Sequence, residues 1–280
     1  MPCVCAFRFA LIALIFAVNN FFQLPAYNFG PQANNEDPFI SETRARINEW
    51  TLNHVLNYQK GFGNHNVEAM IGASREKSEF RSVGGINRKL PSSSLAALSA
   101  GIGDEASSGF NSTSTLQSYF GRVGYNFDNK YFLQASLRRD GSSRFARDNK
   151  YGNFYSVSLG WALHQEDFFN SDFISEFKPR FSYGTLGNQN IGDHLFLARI
   201  ASGGAQLNYP FGGDAQQGIL VGAINTSLPT PDIKWEETTT TNFGVDLGFM
   251  DDRWLLNFDY FIANTTDMLV SVPVPASSGI

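Results

Sequence analysis

Cysteine is almost absent from this sequence of 280 residues, which contains only Cys3 and Cys5. The rest of the chain can therefore form neither a disulfide framework nor a thiolate metal site. Charged residues are also scarce, at 17% against roughly 25% in a typical soluble domain. The net charge is −5, and no basic run is long enough to bind nucleic acid, so we expect no nucleic-acid partner.

Motifs for catalysis and metal binding are missing as well. The four histidines do not show the H-E-x-x-H spacing of a zinc protease, and no G-x-S-x-G nucleophile elbow is present. The paired carboxylates Asp251 and Asp252 fall in a predicted turn, where solvent exposure makes a shifted pKa unfavourable. The sequence therefore predicts a protein that is not an enzyme and that uses no cofactor or metal ion.

Aromatic side chains, in contrast, are abundant: there are 26 Phe, 10 Tyr and 4 Trp. In residues 119–127, 131–138 and 155–163, every second side chain is apolar or aromatic and those between are mostly small or polar. This alternation indicates strands with one face toward lipid and one toward water. Segments of about ten residues with this pattern, and with aromatic residues near their ends, are typical of a transmembrane β-barrel wall.

The same alternation predicts further strands over residues 50–59, 67–74, 177–185, 242–249 and 254–262. Residues 19–48, 81–115 and 187–236 lack it and are predicted to be long loops, with one or two short strands inside the last. Short turns such as 128–130 and 250–253 alternate with these loops, as they do in outer-membrane barrels. The predicted fold class is all-β, an antiparallel transmembrane β-barrel wall of about 8–10 strands.

Residues 9–18 form an apolar stretch near the N-terminus. The stretch is too short to cross a bilayer as a helix but long enough for the core of a signal peptide. One positive charge precedes it, and no clear cleavage site follows. The alternatives are a strand of the wall, or sequence at the edge of a truncated gene.

One motif, RRDGSSRF at residues 138–145, resembles the SusC/RagA family of TonB-dependent outer-membrane transporters of Bacteroidetes. Similar motifs follow in the family's order over roughly residues 50 to 280. They are YQKGFGNHN (58–66), YFGRVGYNF (119–127), GNFYSVSLGW (152–161), SYGTLGNQNIG (182–192), WE (235–236) and TTDML (265–269). The set together is specific, although any one of these motifs could occur in an unrelated β protein.

The resemblance implies a barrel of about 22 strands with an N-terminal plug, energised by the TonB complex and capped by a SusD-like lipoprotein that captures glycan or peptide. This sequence shows no plug, no TonB box and no closing strand with a terminal aromatic residue. We therefore divide it into residues 1–20, an apolar segment that is signal-like or a truncation artefact, and residues 21–280, a partial TonB-dependent receptor β-barrel wall with long extracellular loops and no plug domain. The implied location is the outer membrane of a Gram-negative, Bacteroidetes-like cell.

Two sets of side chains are candidates for function. Side chains on the inward face or in loops would contact solute, because lumen-facing residues tune selectivity; these are Arg122, Gln134, Arg138, Asp140, Arg144, Arg180 and Asp246. The alternatives are solvated filling of the interior and, at residues 140–144, a polar turn held by an internal Asp–Arg pair. Aromatic rings would lie at the level of the lipid headgroups; these are Tyr125, Tyr131, Tyr155, Trp161, Trp254 and Tyr260.

The function favoured by the sequence is that of a fragment of a SusC-like transporter, which imports oligosaccharides or peptides together with a SusD-like lipoprotein. Two alternatives stay open. A complete small barrel could act as a passive pore or adhesin, and a secreted β-sandwich could bind carbohydrate.

Overall fold

The structure, a computed structural model, describes residues 4–25, 27–28, 34–35, 37–92, 94–95, 97–171, 173–202, 208–210, 219–225 and 227–270. Antiparallel strands make up most of this part of the chain, with three 3-10 turns at Leu98–Ala100, Arg147–Asn149 and Leu163–Gln165. No helix within it is long and apolar enough to cross a lipid bilayer.

Nine long strands form one sheet in the order β1-β4-β5-β6-β7-β8-β9-β14-β15. Their bounds are β1 Val4–Leu24, β4 Phe39–Phe62, β5 His65–Arg88, β6 Glu105–Phe127, β7 Tyr131–Ser142, β8 Tyr151–Trp161, β9 Ile174–Asn188, β14 Glu236–Phe249 and β15 Trp254–Thr266. Three short ribbons complete the strands: β2 (Tyr27–Asn28) with β3 (Asn34–Asn35), β10 (Ile200–Ser202) with β13 (Ala223–Asn225), and β11 (Asn208–Pro210) with β12 (Ile219–Val221). The predicted all-β antiparallel class is confirmed.

The pairing register explains why the sheet has two different faces. Leu133 lies opposite Leu159, Leu159 opposite Phe181, and Phe181 opposite Phe243, so apolar side chains form a row across four strands. The positions between them carry small and polar side chains, and there Ser136 and Ser156 share a hydrogen bond of 2.7 Å between their hydroxyl oxygens. Alternation along each strand thus becomes an apolar face and a polar face of the sheet.

Most large apolar side chains remain exposed on this sheet. The described residues contain only six buried apolar side chains, which are Ile40, Leu90, Phe145, Phe154, Ala162 and Trp235. In contrast, Val123, Leu137 and Phe258 are each more than half exposed. A water-soluble sheet would cover such a face with a second layer, so this apolar face requires a different covering.

The chain divides into two compact units. Unit 1 comprises residues 1–8, 54–73 and 116–280, and unit 2 comprises residues 9–53 and 74–115. Within unit 2, Asn87 is buried, and its side-chain nitrogen donates to the carbonyl oxygens of Leu98 (2.9 Å) and Gly101 (3.1 Å). These bonds order the connection between β5 and β6. An ion pair of 2.7 Å between Arg88 and Asp37 lies in the same unit.

Unit 1 has a short-turn end and a loop end. At the short-turn end the chain reverses through residues 63–64, 128–130, 162–173 and 250–253, and at the loop end through residues 143–150 and 189–235. Asp128 and Asn129 have φ angles of 53° and 55°. This left-handed backbone suits a tight hairpin turn, and Asp and Asn adopt it more readily than most residues.

The predicted bounds of three loops were wrong. The predicted loop over residues 19–48 instead contains the end of β1 and the start of β4, and the one over 81–115 contains the end of β5 and the start of β6. Residues 105–109 and 111–115 of β6 are mostly small or polar, so this part of the strand carries no apolar alternation. The stretch 187–236 contains four short strands instead of one or two.

Candidate functional site

A polar recess of about 660 Å³ lies on the polar face of unit 1. Five neighbouring long strands contribute to it, together with residues of β4 and β5 that lie near the short-turn end. Its polar lining consists of Gln59, Asn66, Glu68, Asn126, Gln134, Ser158, Lys178, Arg180, Ser182 and Asn242. Two of the predicted solute-contacting residues, Gln134 and Arg180, are therefore in one place.

Charge in the recess is organised around Arg180. Its Nη2 donates to Asp246 Oδ1 at 2.8 Å and to Asp259 Oδ2 at 3.4 Å. Asn242 donates to the other oxygen of Asp259 at 3.1 Å. These bonds fix the guanidinium at the recess and place the predicted Asp246 behind Arg180.

Lys178 provides a second cation. Its ammonium lies 4.4 Å from the centre of the Phe132 ring, within the distance of a cation–π contact. The opposite side of the recess carries a polar pair, since Gln59 donates to Glu68 Oε1 at 3.1 Å. Hydroxyl, amide, carboxylate, ammonium and aromatic groups thus surround one space.

Three lining residues keep a side-chain polar atom that has no hydrogen-bond partner among the described residues: Arg180 Nε, Asn126 Oδ1 and Asn242 Oδ1. Buried polar atoms are normally paired with protein or water. Their grouping around one recess marks it as the place where unit 1 can take up additional donors and acceptors.

Chemically, this recess can bind an oxygen-rich solute. Side-chain amides and hydroxyls exchange hydrogen bonds with sugar hydroxyls or peptide groups, and charge-assisted bonds from Lys178 and Arg180 orient carbonyl or carboxylate oxygens. The recess is open on one side of a sheet and contains no nucleophile paired with a base, as a catalytic site would require. Among the described residues, no group of three or more His, Cys, Asp or Glu side chains could hold a metal ion.

Arg122 lies in a separate small recess. That space, of about 120 Å³, is lined by Asn57, Tyr58, Gln59, Glu68, Ala69, Met70 and Arg122. Since Gln59 and Glu68 also line the larger recess, the two are neighbours along the same polar face.

Arg138 and Asp140 belong to the loop end. Arg138 Nε donates to both carboxylate oxygens of Asp140, at 2.8 and 2.7 Å, and its Nη2 donates to the Ser118 hydroxyl at 3.0 Å. Asp140 and Ser118 are buried. A buried carboxylate held by a bidentate guanidinium is a structural contact, and it leaves Asp140 little opportunity to contact solute.

Arg144 joins two connections at the loop end. Its Nε donates to Asp193 Oδ1 at 3.0 Å and its Nη1 to the Gln189 carbonyl at 3.1 Å. The internal pair considered for residues 140–144 is therefore replaced by two other pairs, Arg138 with Asp140 and Arg144 with Asp193. Sequence spacing alone could not reveal Asp193, because it lies in an irregular stretch.

An aromatic cluster packs beside these ion pairs. The Trp235 ring centre is 5.1 Å from that of Phe145 and 5.5 Å from that of Phe154. Trp235 Nε1 donates to the Lys150 carbonyl at 3.2 Å, and Leu116, Ile191 and Ile233 pack against the three rings. We name Phe145, Phe154 and Trp235 the loop-end cluster.

The predicted interface aromatics lie on the apolar face. Tyr131, Tyr155, Trp254 and Tyr260 are all exposed there, and Tyr131 stacks on Trp161 with ring centres 6.1 Å apart. Tyr125 shares a hydrogen bond of 2.7 Å with His65. Their position at the headgroup level stays a prediction.

Glu166, which sequence reasoning missed, organises the Tyr131–Trp161 pair. Trp161 Nε1 donates to Glu166 Oε1 at 2.9 Å, and Lys130 Nζ lies 3.5 Å from Oε2. Hydrogen bonds from Tyr131 and then Trp161, with help from Lys130, hold the pKa of Glu166 below its usual range, against an opposing effect of burial. No sequence signal indicated this residue, because it lies in a connection without periodicity.

Asp259 was also missed, although the sequence did contain a signal for it. Only the apolar positions of residues 254–262 were assigned to a face, and Asp259 lies between Phe258 and Tyr260. Its position in the alternation already placed it on the polar face.

The sequence profile of the family described as "TonB dependent receptor-like, beta-barrel" matches residues 12–280. Among curated proteins, the chain is 34% identical over 242 residues to TonB-dependent receptor P3 of Formosa agariphila, covering 85% of this chain and 23% of that protein. It is 32% identical over 257 residues to TonB-dependent receptor SusC of Bacteroides thetaiotaomicron, covering 90% of this chain and 24% of SusC. The chain thus spans about a quarter of the length of these relatives.

Solved structures share the fold. A chain from the structure of the RagAB peptide transporter superposes with a TM-score of 0.85 at 24% identity, covering 99% of this chain and 30% of that one. A chain from the RagAB peptide importer in the "open-open" state gives a TM-score of 0.82 at 24% identity, covering 98% of this chain and 29% of that one.

The matched family consists of outer-membrane receptors and transporters of Gram-negative bacteria, which are not enzymes. The profile covers nearly the whole chain, the SusC/RagA resemblance of the motifs agrees with relatives named SusC and RagAB, and the single two-faced sheet is the architecture that such a wall requires. This chain therefore belongs to the TonB-dependent receptor β-barrel family.

Proposed function

We propose that this chain forms part of the barrel wall of a TonB-dependent nutrient importer in the outer membrane of a Bacteroidetes-like bacterium. The observation that carries the proposal is the two-faced sheet, in which an exposed apolar face lies opposite a polar face with one organised recess. Lipid would cover the first face and the solute path would lie along the second, as in other barrels of this kind.

The edges of the sheet support a larger wall. In the described strand order, β1 and β15 each have one neighbour and are not paired with each other. Unpaired strand edges are costly in a bilayer, where backbone groups find no water. The chain's match to about a quarter of each relative agrees with additional strands on both sides.

Oligosaccharides or short peptides are the solutes that the recess favours. Its amide, hydroxyl and charged groups suit a ligand with many hydrogen-bonding groups, and Phe132 offers a ring face beside Lys178. The solved relative RagAB is named a peptide transporter, which agrees with the peptide class.

A SusD-like lipoprotein and the TonB complex are the proposed partners. Support comes from the similarity to SusC and to the RagAB structures. Within unit 1, the loop end is the part best suited to hold a protein lid, because the loop-end cluster and the Arg144–Asp193 pair order two of its connections.

A chimera tests the proposal. The segment of Bacteroides thetaiotaomicron SusC that this chain matches would be replaced by the chain, and the chimera would be produced in a strain that lacks SusC. We expect it in the outer-membrane fraction, with heat-modifiable migration on a gel and with SusC-dependent uptake restored. A chimera that reaches the membrane and folds but restores no uptake, even with the SusC lipoprotein partner present, would contradict the transport role.

Side-chain replacements in the chimera would then test the recess. Arg180→Ala removes the central guanidinium, and Gln134→Ala removes an amide at its rim, so each should lower uptake or change its solute preference. Leu137→Ala, on the apolar face, is the matched control and should leave uptake unchanged. Equal losses in all three variants would remove the recess from the solute path.

The structure favours neither alternative function. A secreted β-sandwich needs two stacked sheets, whereas the nine long strands described here form one. A complete small barrel needs its first and last strands to pair, and β1 and β15 are not neighbours in the described sheet.

A further inference from the structure

A second recess lies on the apolar face of unit 1, near the short-turn end. It encloses about 740 Å³ and is lined by Tyr125, Tyr131, Phe132, Leu133, Leu159, Gly160, Trp161, Pro179, Arg180, Phe181 and Phe243. Apart from Arg180, these residues are aromatic, aliphatic or glycine. The recess is therefore chemically opposite to the solute recess described above.

Two aromatic pairs border this apolar recess. Tyr131 and Trp161 stack at 6.1 Å, and Phe181 and Phe243 lie with ring centres 5.0 Å apart. Between them the sheet carries the shorter side chains of Leu133, Leu159 and Pro179. Four large rings beside shorter aliphatic side chains leave a depression suited to a flexible hydrocarbon chain.

Polar groups stand at one end of the depression. Trp161 donates its indole N–H to Glu166, and the Lys130 ammonium lies 3.5 Å from the same carboxylate. A cation and an anion side by side complement a headgroup that also carries both charges. The phosphate of such a headgroup would face Lys130, and its amine would face Glu166.

The charge of the short-turn end favours an amine-bearing lipid over an anionic one. Its described connections carry more acidic than basic side chains: Asp128, Glu166, Asp167, Asp251 and Asp252 against Lys130 and Arg253. Such a surface repels a net negative headgroup and attracts a primary ammonium.

We propose that the apolar recess and the Lys130–Glu166 pair together bind one phospholipid with a phosphoethanolamine headgroup. This inference rests on the proposed function, since it places the apolar face in a membrane. The acyl chain occupies the space over Leu133, Leu159 and Pro179, and the headgroup provides the preference, because any lipid could supply the hydrocarbon.

The test uses the full chain folded in micelles that contain equal amounts of phosphatidylethanolamine and phosphatidylglycerol with identical acyl chains. Native mass spectrometry would count the lipids retained on the protein. We expect one retained lipid, with ethanolamine favoured about fivefold, as one partly exposed charged contact would give. Equal retention of the two lipids, or more retained phosphatidylglycerol, would overturn the proposal.

Two pairs of variants locate the site. Leu159→Phe fills the recess and should lower lipid retention, whereas Leu137→Phe makes the same change outside it and should not. Glu166→Gln should remove the ethanolamine preference while one lipid is still retained, and Asp148→Asn at the loop end should keep the preference. Heat-modifiable migration on a gel verifies that every variant is folded.

The outcomes separate this inference from the proposed function. If the chain does not insert into micelles or vesicles, both fall. If it inserts but retains lipid without preference, or if Leu159→Phe and Leu137→Phe behave alike, the specific lipid site falls and the membrane wall stands.

Discussion

The two ends of unit 1 use aromatic residues in opposite ways. At the loop end, Phe145, Phe154 and Trp235 are buried against one another and hold two connections together. At the short-turn end, Tyr131 and Trp161 stack on the surface of the sheet, and a carboxylate anchors the indole from the side. The same residue types therefore act as a small protein core at one end and as a surface lining at the other.

This difference shows that the covering of the rings, and not their number, determines their contribution. A buried ring loses its packing partners when it is truncated, whereas an exposed ring loses contacts with the surrounding medium. The loop end should therefore be sensitive to truncation and to steric change, and the short-turn end should respond mainly to charge. The four predictions below separate the ends on this basis.

The largest effect is expected for a matched pair of tryptophans. Trp235 is 8% exposed and Trp254 is 69% exposed. Trp235→Ala should lower the free energy of unfolding by about 3 kcal/mol, because it opens a cavity in the loop-end cluster. Trp254→Ala should cost less than half of that. Urea unfolding of the chain folded in lipid vesicles measures both, and equal costs would remove the distinction between the two ends.

A matched pair of glycines should give the next largest effect. A Cβ at Gly187 would collide with the Phe154 ring, whereas one at Gly160 would meet its neighbours at ordinary contact distances of 3.6 Å or more. Gly187→Ala should therefore destabilise the fold by about 1–3 kcal/mol, and Gly160→Ala by under about 0.5 kcal/mol. The same urea titration applies. A harmless Gly187→Ala would mean that the Phe154 ring can move without loss.

A double-mutant cycle should resolve the ion pair that joins the loops. Arg144 and Asp193 are 28% and 21% exposed at 3.0 Å, and we expect a coupling of about 1 kcal/mol. Lys234 and Asp267 form a pair of equal length, but they are 54% and 41% exposed. That pair should couple by only about 0.3 kcal/mol. If the order were reversed, the loop-end ion pair would not be a structural contact.

The smallest effect should appear at the short-turn end as a pH dependence. Because the folded protein lowers the pKa of Glu166, the ionised form contributes stability above the usual glutamate range, near about pH 4.3. That contribution should disappear as pH falls through the lowered pKa. Fluorescence of the tryptophans against pH would follow it, and Glu166→Gln should remove this component.

A neighbouring carboxylate supplies the control for that experiment. Asp167→Asn changes a side chain one residue further along the same connection, outside the Trp161 and Lys130 contacts with Glu166. The fluorescence response should then persist. Its loss in the control, or its survival in Glu166→Gln, would show that another group causes the transition.

Sequence predicted the middle of the sheet better than its extensions. Strands β7 and β8 have one apolar and one polar face, so their alternation is visible in single residues such as Leu133 and Gln134. The ends of β4, β5 and β6 in unit 2 carry polar side chains at successive positions. There the strand is defined by backbone pairing, which leaves no apolar signal in the sequence.

The candidate site followed the same rule. Gln134 and Arg180 could be placed on the polar face because alternation assigns each residue to a side. Sequence could not show that Gln59 and Glu68 reach the same recess, since these residues are distant along the chain and meet through strand order. The loop-end contacts of Arg144 with Asp193 were equally hidden, because an irregular connection has no period to follow.

The long connection 189–235 has a consequence for the order of assembly. Hairpins such as β6–β7 and β14–β15 close over a few residues, so their ends meet quickly and at little entropic cost. The seam between β9 and β14 instead joins Asn188 to Glu236, with the whole connection between them. We expect this seam to zip last, after two separately formed strand groups have met, so it should limit the rate at which the wall matures.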